Sequence, residues 1–313
     1  MRAFLASHSR IAIPSVGSNM WTYFYDRFGD LSEPANLERC LDAMMHYKHV
    51  VFMNPDPARI KAEFNDGDLT YARLFSLFLL HFAEREGKPR WGAQTGLIER
   101  YAKEMFSAYP GLKIIHMVRD PRDRYEASIS KWPKGKLRAG GATARFIYSM
   151  RLADRHTRDH PDGYLVVRFE DLIRQPQTTV ERVCDFLGER FEPTMMDLPG
   201  AAKMRAELRD GRDEGEPMLS EAFIGRHEGR IPRAEQAFIQ LHAGQRMKRL
   251  GYEPTALGFD LGERLRFAIL DWPGQFARMT LWLAVEFGQQ RFPRLVPRKY
   301  GARMFVESPT ERV

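Results

Sequence analysis

The sequence predicts an α/β fold in which a parallel sheet is covered by helices on both faces. Short aliphatic runs at 113–118 and 164–168 have the length and composition of buried strands, and stretches of helical periodicity alternate with them. Proline and glycine punctuate the junctions, which marks helix-to-strand crossovers in a layered domain.

Taken in order, residues 68–87 form the clearest helix, because Tyr71, Leu74, Phe75, Phe78, Leu79 and Phe82 recur at helical spacing and Gly87 stops it. A helix over 97–108 ends at Pro110-Gly111, just before the first strand. The helical pattern returns after Asp123 and lasts to Pro133, and a longer helix spans 142–159 ahead of the turn Pro161-Asp162-Gly163. Beyond the second strand, Thr178 and Glu181 have capping-box spacing for a helix that carries Val180, Val183, Cys184 and Leu187 and stops at Gly188. Residues 198–232 mix charges with glycines and show no period, as a mobile lid would. Residues 233–250 return to helix with Ala234, Phe238 and Leu241 on one side.

A chain of 313 residues with 43% hydrophobic content buries one sizeable core, so we read one domain over 1–258 followed by a helical, basic and apolar tail over 259–313. Lys and Arg exceed Asp and Glu by 48 to 41, and the isoelectric point near 9.4 favours anionic ligands. The basic residues are interspersed with acidic ones rather than clustered, which argues against nucleic acid. Cys40 and Cys184 lie far apart and match neither a metal-ligand spacing nor a disulfide framework, so the natural expectation is a reducing, cytoplasmic setting and no metal. Residues 1–13 lack the features of a signal peptide, and no run has the length of a membrane span.

The chemistry concentrates at Arg119-Asp120-Pro121-Arg122-Asp123, where a buried strand ends, a proline blocks its continuation and an acidic residue starts a helix. Ligands of open α/β sheets bind at such strand ends. Arg119 can fork onto a phosphate dianion, and Ser128 on the following helix can add a hydroxyl donor to the same group. The plainer alternative is a local ion pair of Arg119 with Asp123, with Ser128 merely solvated.

The block from His116 to Asp123 with Ser128 downstream resembles the 3′-phosphate motif of the sulfotransferases that use 3′-phosphoadenylyl sulfate (PAPS). The segment Tyr164 to Leu172, followed by Pro176 and the helix to Gly188, is similar to that family's YEDL segment. Gly225-Arg226, before a helix closing with Leu250-Gly251-Tyr252, resembles its late GRW-like and LGY elements, without the tryptophan. The resemblance covers about 4–252 and implies a fold like that of P-loop nucleotide kinases. It implies PAPS as co-substrate, with Arg119, Ser128, Gly225 and Arg226 near the 3′-phosphate.

Departures from the pattern are equally specific. Nothing like the family's PRSGTT loop, whose backbone N–H groups cradle the 5′-phosphosulfate, precedes Met1, so the first strand and loop are missing from this sequence. Residues 1–14 resemble the helix after that loop and the strand behind it, and the expectation is a true start upstream with Met1 internal. Many relatives carry a glutamate base where this chain has Ser15-Val16-Gly17-Ser18-Asn19, and others a lysine and a histidine where it has Gln94 and Gly96. Ser128 also falls nine positions beyond Arg119, where many relatives place it one residue earlier, at Ala127 here. His8, His46, His49, His116 and His227 are the replacement bases considered, and none is assigned.

The function expected is therefore transfer of a sulfuryl group to an acceptor hydroxyl on a small molecule, glycan or lipid, and the missing loop leaves the activity of the chain as written an open question. The alternative is a non-enzymatic relative that binds 3′-phosphoadenosine nucleotides or a protein partner. A P-loop kinase would need a glycine-rich loop ending in lysine and an acidic magnesium site. In the tail, Phe276, Met279, Leu283 and Phe287 repeat as a helical stripe beside Trp272 and Trp282, with Arg291, Arg294, Arg298 and Lys299 following. Such a helix can lie on an acidic membrane surface, although packing on the main domain or on a second copy, as a homodimer, is the favoured expectation.

Overall fold

The computed structural model describes residues 1–131, 138–197 and 219–295. They form two compact units, one built from 1–112 with 180–197 and 291–295, the other from 113–179 and 219–290.

The first unit opens with α1 (Arg2–Ala6), β1 (Ile11–Ala12), α2 (Met20–Tyr23), α3 (Pro34–Met45), α4 (Lys48–Val51), α5 (Pro57–Asn65) and α6 (Tyr71–Arg85). Strand β2 (Arg90–Trp91) then pairs in parallel with β1, Ile11 facing Arg90 and Ala12 facing Trp91, and α7 (Ala102–Ala108) follows. Helix α5 starts where Pro57 supplies a preset φ and the Asp56 carboxylate accepts from the N–H groups of Ala58 and Arg59. Helix α6 starts where Thr70 Oγ1 accepts from Arg73 N–H at 3.1 Å, and its buried Leu74, Phe75, Phe78 and Leu79 anchor the apolar core of this unit. The helix expected over 97–108 is broken: Leu97 takes a left-handed φ of 65°, a 3₁₀ turn covers Ile98–Arg100, and Tyr101 is non-helical. The break turns the Tyr101 ring into an aromatic cluster with Trp21 and Tyr25.

The second unit begins with β3 (Ile114–Val118), α8 (Pro121–Lys131), α9 (Ala139–Asp159) and β4 (Tyr164–Arg168). β3 and β4 pair in parallel register from Ile114–Tyr164 to Val118–Arg168, the crossover expected of the sequence. The parallel sheet is therefore present as two short pairs among the described residues, most of which are helical. Helix α8 starts at Pro121, three residues before the point expected, because Asp120 rather than Asp123 is the cap: its Oδ1 accepts from Arg122 N–H at 2.8 Å.

Next come α10 (Phe169–Arg174) and α11 (Pro176–Leu187). Pro176 occupies the first position of α11, so Thr178 lies inside the helix instead of capping it, and Gly188 ends it with φ +72°. Residues 198–218 of the expected lid lie outside the described part of the chain, and in 219–232 one 3₁₀ turn, Glu221–Phe223, is formed. Helix α12 (Arg233–Arg249) ends in a Schellman motif, with Gly251 N–H on Lys248 O and Tyr252 N–H on Met247 O, both at 2.9 Å. The chain then runs through α13 (Leu261–Arg266), a π-helical turn (Phe267–Asp271) and α14 (Trp272–Arg291). Pro273 brings no N–H to this helix, and the wide turn just before it is the local adjustment.

Helices α9 and α14 touch backbone to backbone at Gly140. A Cβ there would lie 1.9 Å from the Gln275 carbonyl oxygen, and the Gly140 N–H already donates to Gln275 Oε1 at 2.9 Å. Gly140→Ala is therefore expected to destabilise the protein by about 3 kcal/mol, read as a lower midpoint in thermal unfolding. An unchanged midpoint would show that these helices separate at little cost.

Candidate functional site

The five residues Arg119 to Asp123 divide their work at the end of β3. Asp120, Arg122 and Asp123 are buried, and the Asp120 carboxylate grips Arg122 in two bonds, from Nε at 3.1 Å and Nη2 at 2.7 Å. Arg122 Nη1 reaches on to Gln240 Oε1 and Thr255 Oγ1, so this arginine is structural. Arg119 turns the other way. Its Nη2 donates to the Phe223 carbonyl at 2.5 Å, its guanidinium lies 4.8 Å over the Phe169 ring, and its Nε is buried without a hydrogen bond.

Asp123 is 1% exposed and collects three donors from one distant segment: Gly225 N–H and His227 N–H at 2.9 Å each, and His227 Nδ1 at 2.5 Å. The local Arg119–Asp123 ion pair weighed from sequence is thus replaced by a tie across 104 residues. Burial pushes the Asp123 carboxyl up, but the hydrogen bonds from His227 and Gly225 outweigh it and hold the group below the usual carboxylate range. Gly225 has φ +72°, which lets its N–H point at the carboxylate. Arg226 Nε lies 3.2 Å from Glu126 Oε2, an ion pair without hydrogen-bond geometry, and Arg230 stands 3.8 Å from the same carboxylate. Glu126 is buried and also accepts from Ser130 Oγ.

Glu170 joins the remaining sequence blocks. Its Oε1 accepts from Asp120 N–H at 3.0 Å and its Oε2 from Tyr252 Oη at 2.7 Å, while Arg168 lies over the Tyr252 ring. Burial and the Glu170 charge push the Tyr252 hydroxyl well above its ordinary value, so it stays a donor.

Arg119, Gly225 and Arg226 are therefore brought to one place. Ser128 is exposed and lines a separate small cleft between α8 and α9, about 50 Å³ in volume, with Arg124, Tyr125 and Arg145 among its walls. The Asp123–His227 tie escapes a reading of the sequence, although the resemblance of Gly225-Arg226 to the GRW-like element draws the eye to that segment. The other histidines considered as bases have structural partners: His8 with Arg190 O, His46 with Asp42 O, His49 with Gly17 O, and His116 with Tyr164 Oη and Ser149 Oγ. Among the described residues no cluster has the makeup of a metal site. In the first unit, Asn19 holds a left-handed φ of 50° and accepts from Gly96 N–H at 3.1 Å, which joins the two segments that depart from the family pattern.

Residues 1–193 match the sulfotransferase family, and the chain belongs to it. Sulfotransferase 2A2 of Rattus norvegicus is 25% identical over 111 residues, and 3-beta-hydroxysteroid sulfotransferase of Cavia porcellus 28% identical over 111 residues. Each match spans 31% of this chain and 38% of the relative. Among solved structures, the sulfotransferase domain of the Synechococcus PCC 7002 olefin synthase superposes with a TM-score of 0.54 at 20% identity, over 80% of this chain and 89% of that one. The sulfotransferase domain from the curacin biosynthetic pathway gives 0.51 at 16% identity, over 81% and 93%. These likenesses establish the kinase-like α/β fold of sulfotransferases.

The depressed Asp123 carboxyl links stability to pH. Its contribution is full above the unfolded value near 4 and is lost as pH falls through the lower folded value. Asp123→Ala is expected to cost about 3 kcal/mol at neutral pH. In denaturant titrations the gap between the two proteins should narrow toward pH 2, and a gap independent of pH would refute the linkage.

Proposed function

We propose that this chain transfers the sulfuryl group of 3′-phosphoadenylyl sulfate to a hydroxyl of a small-molecule, glycan or lipid acceptor, with residues 1–258 carrying the activity. The observation that carries this reading is the meeting of the β3–α8 corner with residues 223–227, made by Arg119 on Phe223 O and by Asp123 on Gly225 and His227. The residues fit a phosphate dianion. Arg119 and Arg226 each keep a buried Nε without a hydrogen bond, and the guanidinium groups of Arg226 and Arg230 stand against the Glu126 carboxylate.

In this reading Arg119 and Arg226 hold the 3′-phosphate, and Gly225 allows backbone to approach it closely. Ser128, the hydroxyl donor the resemblance offers, lies about two turns along α8 from Pro121 and faces its own cleft with Arg124 and Arg145, so the 3′-phosphate is assigned here to Arg119, Gly225 and Arg226. When bound, the co-substrate supplies a sulfuryl group on a good leaving group, and the residues named here act by orienting it. Two buried free cysteines fit a reducing, cytoplasmic setting.

Nucleotide binding without transfer is the second reading, favoured by Gln94 and Gly96 at positions where relatives use charged or imidazole side chains. Gly96 has its N–H on Asn19 and its carbonyl on Thr22.

Calorimetry with adenosine 3′,5′-bisphosphate tests the site. Arg119→Ala or Arg226→Ala should weaken binding about tenfold to a hundredfold, with the circular dichroism spectrum unchanged. Equal affinity in all three proteins would sink the assignment. Binding without transfer of labelled sulfate from the co-substrate to phenol, sugar or sterol acceptors would favour the second reading.

A further inference from the structure

Helices α13 and α14, with the π-helical turn between them, form one continuous rod whose polarity is inverted. The side facing its own unit carries polar groups. Gln275 and Glu286 are 7% and 3% exposed, Gln275 Nε2 donates to Glu235 Oε1, and Gln290 Nε2 donates to Tyr148 Oη at 2.6 Å. The outward side carries the large apolar residues: Leu261 is 74% exposed, Ile269 68%, Leu270 67%, Leu281 64% and Phe287 67%, with Leu265, Leu283 and Val285 also exposed. From Leu261 to Phe287 the strip runs about 40 Å. Apolar strips of this extent mark contact surfaces.

Of the stripe expected from sequence, Met279 is half-buried while Phe276, Leu283 and Phe287 are exposed. Of this stripe Phe287 alone keeps most of its surface in water, and the larger exposed area comes from the leucines and isoleucine on the outward side.

The charges on the rod select the occupant. Its carboxylates are all engaged: Asp260 caps α13, Glu263 pairs with Arg233 at 2.8 Å, Asp271 lies 3.8 Å from Arg266, and Glu286 is buried and accepts from Gln290. Arg264 and Arg278 are exposed at the strip, and none of these carboxylates forms a salt bridge with either. A second copy docked strip to strip would bring arginines against arginines with no free carboxylate to meet them. An anionic lipid surface supplies phosphates along the whole length. Trp272 and Trp282 turn inward, Trp272 Nε1 donating to His242 Nε2 at 3.1 Å and Trp282 packing edge-on against Tyr148, so they hold the rod to its unit and leave the outward strip free.

We propose that the α13–α14 rod lies flat on an anionic phospholipid bilayer, its leucines and Phe287 entering the acyl boundary and Arg264 and Arg278 meeting headgroup phosphates. No described helix is long and apolar enough to cross a membrane, so the contact is at the surface. The proposal is independent of the sulfuryl-transfer reading, since it uses none of that site's residues.

Co-sedimentation of the full chain with vesicles of phosphatidylcholine, with and without phosphatidylglycerol, tests it. Partition should require phosphatidylglycerol and weaken with added salt. The pair Leu281→Glu and Phe287→Glu should lower it more than about tenfold. Arg264→Gln and Arg278→Gln should each lower it about fivefold, without changing thermal unfolding or sedimentation velocity. Absence of partition, partition indifferent to the arginines, or a dimer in solution that Leu281→Glu dissociates would each overturn the proposal, the last in favour of a second copy.

Discussion

The buried Asp123 carboxylate is the constraint on which the second unit's site depends. Residues 224–231 have no helix or strand of their own, so the entropy lost on ordering them must be recovered by specific bonds. Three donors from Gly225 and His227 end on this one group, and Arg119 adds a fourth bond at Phe223. A buried carboxylate is costly to leave unpaired, which makes the arrangement nearly all-or-none: either the segment is seated on Asp123 or the charge is stranded. Glu170 applies the same logic at the other side of the corner, where it holds Asp120 N–H and Tyr252 together.

Seating the segment in this way settles which cations are committed and which are not. Arg122 spends its donors on Asp120, Gln240 and Thr255, so it braces the corner. Arg119 and Arg226 are held from the side, by a carbonyl and a ring in one case and by a carboxylate without hydrogen-bond geometry in the other. Guanidinium groups fixed in place but short of acceptors are suited to an incoming dianion, because their reorganisation has been completed during folding.

Much of this is legible in the sequence, for reasons that differ by element. β3 and β4 can be read because short aliphatic runs bounded by turn residues have few other fates, and α6 because its aromatic repeat buries a face. Arg119 can be named from its place at a strand end, whereas Gly225 and Arg226 are named through the resemblance to the family's late GRW-like element. The start of α8 is ambiguous because Asp120 and Asp123 are both plausible caps, and only the tertiary demand of Gly225 and His227 for Asp123 decides between them. The break at Tyr101 is invisible for a similar reason: an aromatic cluster assembled from distant residues overrides a helical local preference.

His227 stands where the resemblance leads one to look for a tryptophan, and it is bonded to the same carboxylate. An indole offers a single N–H, whereas an imidazole has two ring nitrogens. Nδ1 donates to Asp123, which fixes the proton on that atom, and the backbone N–H of the same residue donates to the same oxygen. Nε2 is left buried without a hydrogen bond, so the ring keeps a second polar atom at the corner after its structural bond is made. The histidine thus anchors the segment while adding to Arg119 and Arg226 one more group whose hydrogen-bonding capacity is unused.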